Sequence, residues 1–233
     1  MVGAEVTVLV FGPLREQMGV AEMRVRGSTV REVWEAVVRE HPRAAATSSA
    51  VRAARNLSYC DWNSAVESGD TIAFLPPVAG GSTDMVSGVR ASVSAEPIDV
   101  EAVMAGVGSG RDGAMATFIG RVRDTSDGHA VSHIDYEAYP EMAVSEMRRI
   151  GESVYERGGI SAIVMVHRVG RVAVGEPGVI VVVAAPHRDA ALRACQDVID
   201  LIKGTVPMWK REHRDDGAHW VDARHHAHSE TPA

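Results

Sequence analysis

The chain has 233 residues, 45% hydrophobic and 24% charged, which is enough for one large core or two small ones and excludes a disordered or fibrous chain. A formal net charge of -7 excludes the broad basic surface that nucleic-acid backbones require, so any anion site must be a local cluster and no nucleic-acid partner is expected. No apolar run approaches the roughly 20 residues that span a bilayer, and residues 1–12 lack the basic start of a signal peptide, so no membrane partner is expected and the cytoplasm is the expected compartment.

Glu5 to Phe11 alternates and is rich in valine, which predicts a strand, and Ala21 to Arg26 predicts a second strand after a glycine-marked turn, together a hairpin. Ser28 or Thr29 then caps a helix whose apolar positions Val30, Val33, Trp34, Val37 and Val38 recur at helical spacing, with Pro42 closing it. Arg52 to Leu57 is a further strand candidate. After the Ser68-Gly69-Asp70 turn, Thr71 to Leu75 predicts a short central strand that the pair Pro76-Pro77 ends. Val78-Ala79-Gly80-Gly81 follows. A bare Gly-Gly is either a tether or a backbone slim enough to thread a narrow channel to a catalytic group, and both readings stand at this point.

Ser82 to Gly88 is small, polar and without periodicity, and marks the expected linker between a first domain, 1–81, and a second, 89–224. In the second, Val89 to Ser94 predicts a strand, Pro97 to Val107 a helix, Gly113 to Val122 a strand and Arg123 to Gly128 a loop. His133 to Ala138 predicts a strand, and Glu141 to Arg157 a helix with Met142, Ser145, Ile150 and Val154 roughly on one side. Ile160 to Val166 and Gly178 to Ala185 predict buried strands separated by the turn at Gly175 to Gly178. Arg188 to Ile202 predicts a helix with Leu192, Cys195, Ile199 and Ile202 on one face, Lys203 in its last turn and Gly204 as terminator. Met208 to Arg214 and Ala218 to Arg224 predict a terminal hairpin around Asp215-Asp216-Gly217. The two cysteines, Cys60 and Cys195, are too few for a disulfide framework or a four-thiolate site, and the tail 225–233, with His225, His226 and His228, is expected to be disordered and to lack a shaped metal site. No metal site and no tightly bound cofactor are expected.

Candidate chemistry concentrates on the basic residues. Among 24 Lys and Arg only Lys203 and Lys210 are lysine. Arginine stays protonated, whereas a desolvated lysine can lose its proton and act as nucleophile or acid/base; a lysine at a helix C-terminus is equally explained by the dipole. Arg121 and Arg123 alternate at a strand end and either grip a phosphate or lie solvated. His187-Arg188 opens a helix directly after a buried strand, where backbone N-H groups favour an anion. His167-Arg168 and Trp209 read as structural.

Two resemblances follow from these residues. Phe11-Gly12, Gly69 to Phe74 and above all Pro76-Pro77-Val78-Ala79-Gly80-Gly81 resemble the β-grasp, ubiquitin-like sulfur carriers, and among them the small subunit of molybdopterin synthase. Phe118 to Asp124, Tyr136 to Met142, His167 to Gly170, His187 to Ala191, and Lys203 through Pro207 to Trp209-Lys210-Arg211-Glu212 resemble the large, catalytic subunit of the same enzyme. The pair implies an α+β chain: a β-grasp domain, then an α/β hammerhead-type catalytic domain that dimerises. It also implies the chemistry, in which a terminal glycine, here Gly81, is adenylated by a partner adenylyltransferase and converted by a sulfur donor to a thiocarboxylate. That group supplies two sulfurs to cyclic pyranopterin monophosphate.

Carried onto this chain, the resemblance implies Lys203 and Lys210 as catalytic lysines and Arg123, His187 and Arg188 as the anion and pterin pocket, with Arg224 near the terminal hairpin and Glu212 orienting Lys210; Arg121, on the same strand face as Arg123, is a substrate-binding candidate by that alternation. Met208 stands where an aromatic is expected. Gly81 departs from the carrier pattern because Ser82 follows it, so its carboxylate exists only if a processing protease cuts that bond.

Overall fold

The computed structural model describes residues 3–44, 51–75 and 88–221. The stretch Pro76 to Gly81, most of the expected linker, Arg224 and the histidine-bearing tail lie outside the described residues. The chain forms two compact units, Met1–Ser82 and Thr83–Ala233.

In the first unit, β1 (Ala4–Val10) pairs antiparallel with β2 (Glu22–Gly27) and parallel with β5 (Thr71–Leu75). The sheet order β2-β1-β5-β3-β4, with β3 (Arg52–Arg55) and β4 (Ser58–Cys60), puts β5 in the middle, where four of its five residues are buried. The predicted β1–β2 turn is instead a short helix, α1 (Gly12–Met18): Pro13 pre-sets its first turn, and Gly19, at φ 72°, ends it in the left-handed conformation open to glycine. Helix α2 (Val30–Glu40) starts as expected at Thr29, whose hydroxyl accepts from the Glu32 N-H, while the Glu32 carboxylate accepts from the Ser28 N-H at 2.7 Å. This reciprocal cap is worth about 1 kcal/mol. Trp34 packs on Phe74 with centroids 4.7 Å apart, fastening α2 to β5. This is the ubiquitin-like β-grasp arrangement.

The second unit has two sheets. The first, β6-β10-β12-β7, comprises β6 (Val89–Ser94), β7 (Ala114–Arg121), β10 (Ala162–Arg168) and β12 (Pro177–Ala185). Its core strand β12 is buried from Gly178 to Ala185, which is why it reads as one apolar run rather than an alternation. Helices α4 (Pro140–Tyr155) and α5 (Arg188–Thr205) cover one face through Met147, Ile150, Cys195, Val198 and Ile202, and α3 (Val100–Ala105) covers the other.

The second sheet runs β11-β9-β13-β14, from β9 (His129–Ala138), β11 (Gly170–Ala173), β13 (Met208–Arg214) and β14 (Gly217–Val221). The two-residue β8 (Thr125–Ser126) pairs with β9 inside the predicted loop. The terminal hairpin forms as expected.

Three local expectations change. Leu192 is 61% exposed, and the buried face of α5 is Ala191, Ala194, Cys195, Val198, Ile199 and Ile202, because at 100° per residue Leu192 falls beside that stripe. Gly204 does not terminate α5, which continues to Thr205, where Pro207 precludes a further turn. In α4 the half-buried Ser145 yields its expected place to Glu146, which is buried and bonded to Arg149 at 3.3 Å.

Candidate functional site

Pro207 turns the chain from α5 into β13, so Lys203, in the last turn of the helix, and Lys210, third residue of the strand, flank one corner. Lys203 is exposed, and its Nζ lies 5.5 Å from the centroid of the Phe118 ring on β7. Among the described residues no carboxylate is paired with it. Lys210 differs: its Nζ donates to Glu212 Oε1 at 3.3 Å.

Lys210, Glu212 and Arg214 alternate along β13 and share one face. The Glu212 side chain is 3% exposed, and its second oxygen accepts from Arg214 at 2.7 Å and 2.9 Å. Arg214 also donates to Ser126 at 3.3 Å and Asp127 at 3.1 Å. Burial pushes the Glu212 carboxyl up, but the hydrogen bonds from Arg214 and Ser126 and the Lys210 charge together outweigh it and hold the group below its ordinary range. Glu212 is thus an ionised buried carboxylate held between two cations.

Tyr136 stands opposite Lys210 in the β9–β13 ladder. Burial, and secondarily Glu212, push its phenol up to about 12, so the hydroxyl keeps its proton and remains a donor. Gly178 lets it approach: a Cβ there would lie 3.1 Å from the Tyr136 oxygen. His167 meets the Tyr136 ring edge-on with centroids 5.2 Å apart, is buried, and has its pKa lowered to about 4 by desolvation. Its neutral ring bonds the Arg168 carbonyl at 2.8 Å, in keeping with a structural role.

The remaining expected residues divide between two ends of the sheet. Strand β7 stops at Arg121, which donates to the Gly175 carbonyl at 3.1 Å, and Arg123 follows, exposed, beyond it. Both lie past Phe118, toward the end of β7 near Lys203. His187 is the N-cap of α5, and Arg188, 88% exposed, lies 3.8 Å from Asp189. They follow Ala185, which pairs with Ala114 at the opposite end of β7. Sixteen residues at 1.5 Å place His187 about 24 Å along the helix axis from Lys203, and about 160° around it. One copy therefore sets Arg121 at the end of β7 where β12 begins, with Gly178 against Tyr136 opposite Lys210, and leaves His187 and Arg188 beyond the other end. Gly81 and Arg224 lie outside the described residues.

Arg214 and Ser126 are site neighbours that the sequence analysis did not single out, and Phe118 and Tyr136, which open two of the quoted motifs, were given no role in the site. Arg214 was legible in the alternation Lys210, Glu212, Arg214; Ser126 and Tyr136 reach the site only through strand pairing. A cavity of about 500 Å³ lies elsewhere, lined by Arg90, Ser92, Val103 and Arg148 among others. It contains none of the alternating charges that distinguish the lysine corner, so the lysine corner is the stronger candidate.

The ThiS family matches residues 8–81 and the MoaE protein family matches residues 93–205. The molybdopterin synthase catalytic subunit of Pyrococcus abyssi is 40% identical over 131 residues, 56% of this chain and 88% of that protein. That of Bacillus subtilis is 36% identical over 132 residues, 57% of this chain and 84% of that protein. The crystal structure of molybdopterin synthase from Staphylococcus aureus superposes with a TM-score of 0.54 at 32% identity, covering 59% of this chain and 98% of that one. Among the described residues no helix is long and apolar enough to cross a membrane. The chain belongs to the MoaE family of molybdopterin synthase catalytic subunits, carries a ThiS-family, ubiquitin-like domain ahead of that domain, and is an enzyme of molybdenum cofactor biosynthesis.

Proposed function

We propose that this chain is a fused molybdopterin synthase that converts cyclic pyranopterin monophosphate to molybdopterin, with Gly81 as the sulfur-carrying terminus once the Gly81-Ser82 bond is cut. The observation that carries this reading is the corner formed by Lys203 and the Lys210–Glu212 pair in a chain whose other domain matches the ThiS family up to residue 81. The substrate phosphate finds cations in Arg121 and Arg123. Each thiocarboxylate sulfur attacks a side-chain carbon of the pterin and displaces oxygen from it, and the acyl–sulfur bond then breaks so that sulfur stays on the pterin and Gly81 is released by water as a carboxylate; Lys203, which has an apolar ring beneath it and no carboxylate partner among the described residues, moves a proton in these steps or takes the glycine acyl group before water releases it. Lys210, fixed by Glu212, is the second proton carrier, and Tyr136 offers a protonated hydroxyl opposite it.

The separation of His187 and Arg188 from Lys203 supports a homodimer. If all three serve one pocket, the two ends of α5 must come from two copies. The partners outside the chain are an adenylyltransferase, a sulfur donor and a protease, and the expected compartment is the cytoplasm.

A second reading has its own observation: as written, Gly81 is an internal amide and has no carboxylate to activate. In that case the catalytic domain takes sulfur from a separate small subunit, or the first domain is a carrier or protein modifier that the second merely docks. Intact-mass analysis of the protein from its native host separates these. A fragment ending at Gly81 with oxygen replaced by sulfur supports the processed synthase; a permanently full-length chain sinks it.

A further inference from the structure

The sheet β6-β10-β12-β7 ends on β6, and among the described residues no strand pairs with the outer side of β6. The Gly88 and Ser94 carbonyls accept from the N-H groups of Ile163, on β10, and Val169, just past it. Backbone groups alternate in direction along a strand, so the N-H and C=O groups of Val89, Ala91 and Val93 point away from β10. Among the described residues none of these groups bonds another backbone group.

The cavity of about 500 Å³ runs along this edge. Val89, Arg90, Ala91 and Ser92 all line it, although consecutive side chains of a strand face opposite sides, so the cavity wraps the strand edge and is not confined to one face of the sheet. Val89 and Ala91 pack toward the core beneath α4 and α5, while Val103 of α3 packs on the other face. The open edge therefore lies between two helices: α4 contributes Arg148 to the lining, and the C-terminal half of α3 contributes Val103. Arg90 and Arg148 line the cavity and no carboxylate does, in a chain whose formal net charge is -7. A charged side chain on an edge strand ordinarily keeps other strands away. Arg90 does not stand across this edge: its guanidinium donates to the carbonyl of Gly106, the C-cap of α3, where a Cβ would lie 3.3 Å from Arg90 Nη2.

We propose that the β6 edge is a docking site for an extended, acidic peptide segment of a partner protein, which adds to the sheet as a further strand between α3 and α4. The outward N-H and C=O groups of Val89, Ala91 and Val93 supply the main-chain hydrogen bonds, and the two arginines select acidic side chains through charge-assisted bonds. Arg90 belongs to the α3 side of the edge and Arg148 to the α4 side, so the favoured segment carries acidic side chains at neighbouring positions, one directed to each side. The edge lies across the sheet from β7, which carries Phe118 beside Lys203, so an added strand leaves the lysine corner uncovered.

The test uses full-length protein and a fluorescent peptide of about seven residues, valines and threonines around a central glutamate-aspartate pair. Binding is read by anisotropy and amide exchange by NMR. In the free protein the Val89, Ala91 and Val93 amides should exchange faster than those of Arg90 and Ser92, which face β10, and the peptide should bind saturably and slow them. Arg90→Ala and Arg148→Ala should each weaken binding at least about tenfold. A peptide with a central lysine pair should not bind, and neither should the acidic peptide methylated at the backbone nitrogens that face β6, which keeps every side chain and needs no folded variant. Protection of the Val89, Ala91 and Val93 amides in the free protein would show the edge covered by a second copy or by another part of this chain, and overturns the proposal. Equal affinity for the acidic, lysine and methylated peptides overturns it too, as does binding of octanoate or inorganic phosphate at the two arginines with no binding of the peptide.

Discussion

Lys210 and Glu212 stand two residues apart on one face of β13 with Nζ 3.3 Å from Oε1, and the other oxygen of the same buried carboxylate is gripped by Arg214 at 2.7 Å. A buried acid between two cations is a positioning device: it fixes the direction of the Lys210 ammonium from below. Glu212→Ala leaves Lys210 and Arg214 without their shared anion and should cost about 3 kcal/mol of stability, the low end for a broken buried pair because both cations reach the surface. Because the folded pKa of Glu212 is lowered, its contribution is complete above the ordinary carboxylate range and is lost as pH falls through the lowered value. Denaturant melts at neutral and acidic pH check both; equal stability of Glu212→Ala and parent at neutral pH would sink the account.

Lys203 has a different signature. It is exposed, so Lys203→Ala should change stability by no more than about 0.5 kcal/mol. Dithiolene formation, assayed with thiocarboxylated carrier supplied, should fall by about 10²–10⁴, the range for loss of a group that transfers a proton or acyl group. Lys203→Arg keeps the charge and should not restore the rate, since arginine does not give up its proton. A wild-type rate in either variant contradicts the assignment.

Two-copy assembly of the pocket predicts complementation. Lys203→Ala and Arg188→Ala chains, each nearly inactive alone, should regain about a quarter of the parent activity when unfolded together, refolded and mixed, because half the dimers are mixed and each has one intact site of two. No recovery above the separate variants would show that the ends of α5 do not meet in one pocket.

His167 gives a pH window of its own. Its folded pKa of about 4 lies below the ordinary histidine value, so the unfolded chain takes up the proton first as pH falls. Stability is therefore complete above about pH 6.5 and declines by roughly 3 kcal/mol between there and about pH 4. His167→Asn, which retains a donor for the Arg168 carbonyl, should flatten that part of the Tm-versus-pH curve while leaving the more acidic carboxylate transitions in place.

Much of the architecture is written in local pattern. The valines of α2, the apolar run Gly178 to Ala185 and the Asp215-Asp216-Gly217 turn specify their elements because helix period, strand burial and turn chemistry are short-range properties. The two lysines among many arginines, and the Gly-Gly after a double proline, were equally visible. Elements α1, β4, β8 and β11 were not, being two to seven residues long and too short to show a period.

Tertiary structure decided what meets what. Ser126 reaches Arg214 across 88 positions of sequence, Tyr136 faces Lys210 and His133 faces His213 only through the β9–β13 register, and Leu192 faces solvent although its residue type suits a core. The separation of His187 from Lys203 follows from a single rigid helix between them. Composition and periodicity determine which residues form strands and helices, because those depend on neighbours a few positions away; a site made of side chains from different strands depends on hydrogen-bonded register, which no local stretch of sequence contains.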